Sequence, residues 1–293
     1  MSLKALFTAA VLTAGLALAV PAQATEADAQ YPNGAEGFMA GAVPPPGTYL
    51  LNYLTHYTTD RLNDDSGNKV PVSFRLNGTA EVVRLLWVSN VKILGANWGM
   101  HILTPLVNLN YDLGPLSVHQ FGLGDITIDP FILSWHWKNF HLATGLDIIL
   151  PTGRYDSSKP LNIGANYWGI EPLVAATYLS DGGFEVSAKL MYAFNTKNND
   201  TDYRSGQAFH MDYMVAQKFG DWTAGVGGYW FEQTTDDTRG GVDIGNRGRA
   251  FALGPSVKYD FNGMSLIGKW QHELVSENRP QGDKFWIKFI TAF

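Results

Sequence analysis

In the stretch GFEVSAKLMYAF, Phe184, Val186, Ala188, Leu190, Tyr192 and Phe194 take every second position, with Glu185, Ser187 and Lys189 between them. A period of two predicts an extended strand whose two faces meet different surroundings. The same pattern recurs in FHLATGLDIIL, where Phe140, Leu142, Leu146, Ile148 and Leu150 oppose His141, Gly145 and Asp147, and again in AFHMDYMVAQKF. It continues to Phe293: Phe285, Ile287, Phe289 and Phe293 share one face, and Lys284, Trp286, Lys288, Ile290 and Ala292 the other. Twelve strands are predicted, near 47–60, 79–90, 96–110, 123–136, 139–150, 168–179, 183–195, 206–219, 221–233, 249–260, 263–274 and 284–293. EVVRLLWVSN is the least regular, with apolar residues on both faces broken by Arg84.

The links between strands alternate in length. Long ones fall near 61–78, 111–122, 151–167, 196–205, 234–248 and 275–283; short ones fall near 91–95, 137–138, 180–182, 220 and 261–262. Short turns at one end and long loops at the other are the layout of a transmembrane barrel, which satisfies every backbone polar group without a free edge. The expected fold is therefore all-β: a transmembrane antiparallel β-barrel of about twelve strands, with short periplasmic turns and long extracellular loops. A soluble β domain is the alternative.

The start of the chain supports the barrel. Lys4 precedes an apolar run from Ala5 to Val20, and Ala22-Gln23-Ala24 fits the small-x-small cleavage pattern. Residues 1–24 read as a secretory signal peptide, since the run is short for a membrane-spanning helix. Residues 47–293 are the expected barrel. Between them, residues 25–46 are rich in Gly, Ala and Pro, and Pro44-Pro45-Pro46 is unsuited to a β-ladder. This segment is expected either to enter the lumen as a plug or to hang free as a periplasmic tail. Tyr31, Phe38 and Met39 favour the lumen, because such side chains are unusual in a solvated tail.

Composition narrows the function classes. The chain has no cysteine, which excludes disulfides and a lipid-attached cysteine. Its net charge of −6, with no basic cluster, argues against nucleic acid. Aromatic residues sit near strand ends (Tyr49, Tyr57, Trp87, Trp98, Trp135, Trp168, Tyr178, Trp222, Trp230, Trp270, Phe293), as interfacial girdles require. Arg84, Asp125, Asp129, Asp147, Glu171, Lys189, Asp212, Lys258, Lys269 and Lys288 are expected to face inward, where they must pair or stay hydrated. No GxSxG or HExxH motif is present, so an enzyme is not expected, although a cross-strand Ser–His pair stays open. No cofactor or metal is expected; TTDDTRGGVDIG and DTDY do not fit an EF-hand loop.

Several blocks carry a resemblance: AEGFMAGAVPPPGTYLLNY, GLGDITIDPFILSW, LPTGRYD, NIGANYWGIEPLVAATYL, GFEVSAKLMYAFNTKNNDTDYRSGQAFHMDY and GNRGRAFALGPSVKY. Together they resemble the outer-membrane family named for the meta-cleavage pathway of phenol degradation, which is distantly akin to the fatty acid and toluene channels. Pro151, Gly153, Tyr155, Asp156, Asn162, Gly164, Asn166, Trp168 and Pro172 look like its signature. The resemblance implies passive uptake of small hydrophobic or aromatic compounds across the bacterial outer membrane. The partners expected are outer-membrane lipid, such a substrate, and the outer-membrane assembly machinery. The candidate ligand path is Tyr31, Phe38, Met39, Arg84, Leu86, Val88, Asp147, Lys189, Asp212 and Lys269, with a lateral opening at Pro130, Pro172 or Pro255 where a ladder bond is lost. A non-transporting structural or adhesive barrel is the alternative, and a lipid-modifying enzyme of the outer membrane the least favoured reading.

Overall fold

The structure, a computed structural model, describes residues 30–293; the signal-peptide reading of residues 1–24 lies outside the described residues. Strands β1 (Gly47–Thr59), β2 (Phe74–Ile93), β3 (Ala96–Leu113), β4 (Leu116–Leu123), β5 (Ile126–His136), β6 (Phe140–Leu150), β7 (Gly169–Leu179) and β8 (Phe184–Asn195) form the first part. After the two-residue β9 (Tyr203–Arg204) come β10 (Ala208–Phe219), β11 (Trp222–Gln233), β12 (Asp237–Arg239), β13 (Val242–Gly245), β14 (Arg249–Phe261), β15 (Met264–Glu277) and β16 (Asp283–Ala292). β1 pairs antiparallel with β2 on one side and β16 on the other, which closes a ring of twelve strands. Among the described strands, those outside the ring are β4, which continues the β5 course upward against the end of β3, and the small sheet β9–β12–β13 among the long loops.

The alternation runs opposite to that of a soluble protein. On β8, Phe184, Val186, Leu190 and Phe194 are exposed, while Glu185, Ser187, Lys189 and Asn195 are buried. Apolar side chains face outward because the surrounding medium is hydrocarbon, and polar ones face a lumen that supplies partners. The outward Trp222 lies against Tyr259, their centroids 4.5 Å apart, and Trp137 against Phe140, both at the short-turn end. Trp168, Trp230 and Trp270 are exposed toward the long-loop end. Two aromatics assigned to the girdles turn inward instead. Tyr49 packs on the lumenal cluster around Leu86, and Tyr57 donates its hydroxyl to Glu273 at 2.7 Å. Both share the inward parity of Tyr53 on β1, so strand phase overrides their position near a strand end.

One long link is mostly strand. The segment near 111–122 is a hairpin, with β3 continuing to Leu113 and β4 starting at Leu116; Gly114 (φ 57°) supplies the left-handed turn. The short turns use the same device at Gly183 (φ 81°), Gly220 (φ 60°) and Gly263 (φ 76°). At one of them, Lys138 Nζ lies 2.7 Å from Asp181 and holds its carboxyl below the usual carboxylate range.

The chain's lack of cysteine gives a direct test of this layout. Single cysteines replacing Asp65, Ser158, Asn199 and Asp243, all exposed at the long-loop end, are expected to react with an impermeant thiol reagent on intact cells. Cysteines replacing Asp181 and Asn262 in the short turns are expected to stay protected until the cells are lysed. The reverse pattern would mean the barrel is inserted upside down.

Candidate functional site

Residues 30–46 thread the lumen. They begin beside Tyr167, whose carbonyl accepts a hydrogen bond from Gln30 Nε2 at 3.1 Å, and reach the short-turn end where β1 starts. Without side chains suited to a ladder, this stretch must satisfy its backbone by other means, and the wall supplies them. Asp212 on β10, fully buried, accepts the Tyr31 hydroxyl (2.6 Å), the Gly34 N–H (2.7 Å) and the Glu36 N–H (2.9 Å). Lys269 on β15 donates to the carbonyl oxygens of Gly34, Ala35 (2.8 Å) and Glu36 (3.1 Å). Lys284 reaches the Asn33 carbonyl at 3.0 Å, and Thr177 Oγ1 accepts the Gly41 N–H at 3.0 Å. Gly34 sits at φ 86°, and a Cβ there would run into Gln271. Met39 holds φ 56° without being glycine, a conformation that the surrounding bonds must enforce.

Glu36 is the centre of the lumenal charge network. Its carboxylate meets Lys288 Nζ at 2.6 Å, Arg84 Nη1 at 3.0 Å and the Tyr53 hydroxyl at 2.9 Å. It was not among the candidate residues, yet it is the only charge between Tyr31 and Pro46 and was legible as such. Asp147 forms a second centre, with His101 Nε2 at 2.9 Å and Lys189 Nζ at 3.4 Å.

Between the segment and the wall lies a cavity of about 280 Å³, close to the lower end for a ligand pocket. Phe38, Met39, Arg84, Leu86 and Lys189 line it, as do Leu51, Ile132, Leu173 and Ile290. Tyr31 and Asp147 instead line a smaller cavity of about 40 Å³ that shares Glu36, Arg84, His101 and Lys189 with the first. Val88 packs in the apolar cluster with Leu86 and Ala35, on which Tyr31 also rests; Phe38 packs elsewhere, against Met214, Ala216 and Ile267. Asp212 and Lys269 hold the segment and line neither cavity.

The wall is irregular beside this cavity. Pairing of β3 with β5 shifts register between Gly99 and His101, and that of β5 with β6 between Ile128 and Leu133. Pro130 lies in this break, whereas Pro172 stands opposite Leu146 and Pro255 opposite Val226 without a shift on those ladders. Asp129 repairs the gap: its carboxylate accepts the Phe131 N–H (2.8 Å) and the Leu146 N–H (2.9 Å), in a place that Gly145 leaves free of a Cβ. Trp98 Nε1 donates to the Pro130 carbonyl at 2.9 Å. An outer recess of about 360 Å³ lies here, lined by the exposed Leu85, Trp87, Met100 and Ile102 and by three residues of the lumenal cavity, Leu86, His101 and Asp129.

The signature loop lies apart from both cavities and builds the rim. Asp125 accepts the Gly153 and Ala165 N–H groups, both at 2.8 Å, and Gly153 lies against Gly164 so closely that neither can carry a Cβ. Asn162 clamps the Asp156 backbone through its N–H (2.9 Å) and carbonyl (3.1 Å), and Ser158 bonds hold the Asp156 carboxyl below its ordinary range. Asn166, at φ 60°, donates to Asn198 at 2.9 Å. Trp168 is exposed, and Pro151 and Tyr155 are half-buried in the same loop. His56, His101, His119, His136, His210 and His272 bond to Thr79, Asp147, Asn108, His141, Asn33 and Asp283 respectively; none of these partners is a serine.

An inside-out closed barrel with a peptide segment and a cavity in its lumen defines the class as a transmembrane β-barrel. The chain belongs to the family described as "Putative MetA-pathway of phenol degradation", which matches residues 59–289. The COG4313 outer membrane channel from Pseudomonas putida F1 shares its fold, with a TM-score of 0.79 at 19% identity over 88% of this chain and 99% of that one. The β domain of the Bordetella autotransporter BrkA aligns less well, with a TM-score of 0.51 at 11% identity over 85% of this chain and all (100%) of that one. No functionally curated protein matches the sequence.

The Asp212 anchor is open to test. Asp212→Ala leaves three donors without their acceptor, at a cost of about 3 kcal/mol to segment docking. A Glu-specific protease is expected to cut the detergent-solubilised variant after Glu36 and to spare that bond in the wild type. Mass analysis of the products reads the difference.

Proposed function

We propose that this protein is a passive outer-membrane channel for small hydrophobic or aromatic compounds, with residues 30–46 as a lumenal plug that shapes the path. The observation that carries this reading is that the lumenal cavity and the outer recess lie on either side of Leu86, His101 and Asp129, at the one candidate proline where the ladders on both sides shift register. A shift of these three side chains would let a compound held in the cavity pass sideways into the surrounding lipid rather than along the charged lumen. The substrate class and residence in the outer membrane rest on family membership, on the outward apolar face and on the likeness to an outer membrane channel. Insertion by the outer-membrane assembly machinery belongs to the same proposal.

One observation favours a sealed structural barrel instead. The Glu36 and Asp212 networks cross the lumen and leave the cavity on one side of them. Uptake separates the two readings. A strain lacking the gene is expected to take up labelled toluene-like compounds several-fold more slowly than its parent, and a wild-type copy to restore the rate. Leu86→Trp, which fills the junction between cavity and recess, is expected to restore little. A copy lacking residues 27–42 tests the plug: unaltered uptake would remove the plug role but leave the channel. Uptake indifferent to the gene for every compound would leave the sealed barrel as the reading.

A further inference from the structure

The lining of the lumenal cavity is chemically divided. Leu51, Leu86, Ile132 and Leu173 make an apolar side, while Arg84, Lys189 and Lys288 bring three cations to the same space. Of the anions nearby, Glu36, Asp147 and Asp129 are committed to protein donors, while Glu171, on the smaller cavity, has a buried Oε2 without a hydrogen-bond partner among the described residues. Glu36 is bonded by Lys288, Arg84 and Tyr53; Asp147 by His101 and Lys189; and Asp129 by two backbone N–H groups of the wall break.

The cations are not equally committed. Lys288 is matched by Glu36 at 2.6 Å and lies 4.5 Å over the Tyr53 ring. Arg84 carries five N–H donors, of which Nη1 serves Glu36 (3.0 Å) and Tyr53 (3.3 Å), and its Nε is buried without a hydrogen-bond partner among the described residues. Lys189 reaches Asp147 only at 3.4 Å and otherwise lies 4.5 Å over the Tyr31 ring. Buried cationic donors left over beside an apolar wall are a costly arrangement. A ligand carboxylate relieves it with charge-assisted bonds at both oxygens, and an uncharged carbonyl does so more weakly.

Resting on the channel reading above, we infer that the cavity selects small amphipathic carboxylates, meaning aromatic or short-chain acids. The carboxylate sits at Arg84 and Lys189, and the ring or chain lies on Leu86, Ile132 and Leu173. A guanidinium matches a carboxylate in a two-bond fork and, unlike an ammonium, recognises its plane. The volume of about 280 Å³ suits one ring-sized ligand better than a long acyl chain.

The test compares benzoate with its uncharged isostere benzamide, by calorimetric titration of the full-length protein in detergent. Wild type is expected to bind benzoate at least about tenfold more tightly, a difference of about 1.4 kcal/mol. Arg84→Gln is expected to bring benzoate down to the level of benzamide. Because that variant also removes a partner of Glu36, Lys189→Gln serves as the second arm: it leaves every Glu36 contact in place and is expected to weaken benzoate several-fold and benzamide not at all. Equal affinity of wild type for the two compounds, or benzoate binding indifferent to Lys189→Gln, would overturn the inference. Flux of both compounds through proteoliposomes separates this from the channel reading. Passage of benzamide without preferential benzoate binding sinks the carboxylate site alone. Preferential binding without passage of either compound supports the site and sinks the channel.

Discussion

A carboxylate withdrawn from water must be given donors, and Asp212 is given three by one short peptide segment. That requirement organises the lumen. With Lys269 holding the carbonyl groups of the same residues, it fixes where Gly34, Ala35 and Glu36 lie. The position of Glu36 in turn gathers Arg84, Lys288 and Tyr53. The cavity is the space that remains between this cross-linked segment and the wall from β16 through β1, β2, β3 and β5 to β8. Sequence sets the arrangement: glycine at position 34 permits the turn, the prolines before Gly47 keep the segment from joining the ladder, and the alternation of each strand presents a polar face to it.

The wall break has a similar logic. Pro130 cannot donate to a ladder, so the strands around it need another source of bonding. Asp129 supplies a carboxylate in place of a neighbouring strand's carbonyl, and Gly145 leaves room for it. The barrel thus stays closed in its hydrogen bonding while its registers slip, and that slip places an outer recess against the lumenal cavity. The registers of two adjoining ladders slip beside the larger of the two lumenal cavities, and the transport reading depends on that coincidence.

Much of the fold was legible because a barrel wall imposes period two on every strand. The bounds of β1, β6, β8 and β11 lie within a residue or two of those expected from alternation. The hairpin at Gly114 was not legible, since polar residues such as Asp112, Ser117 and His119 read as loop when strands extend beyond the membrane, where neither face must be apolar. Tyr49 and Tyr57 were misplaced because distance to a strand end was weighed above phase. For the site, Arg84, Lys189 and Leu86 emerged as inward residues of strands, but their shared cavity depends on where the segment lies, which no local pattern encodes. Glu36 is a lone charge in a Gly- and Pro-rich segment, and nothing in its neighbours distinguishes a solvated carboxylate from one paired in the lumen. Asp212 and Lys269 were read as path residues; their chemistry suits anchors equally well, and only geometry distinguishes the two.

The central claim, that residues 30–46 are held in the lumen against β10, is most directly tested by a disulfide. A Cβ at Gly37 would lie 4.0 Å from that of Met214, within the span that a disulfide bridges. In a chain with no native cysteine, Gly37→Cys combined with Met214→Cys is expected to form the bond nearly completely in folded protein isolated without reductant. It would appear as a faster non-reduced band and a two-dalton mass loss characteristic of one disulfide. Two free thiols in the folded barrel, both open to a soluble reagent, would place the segment elsewhere and contradict the account.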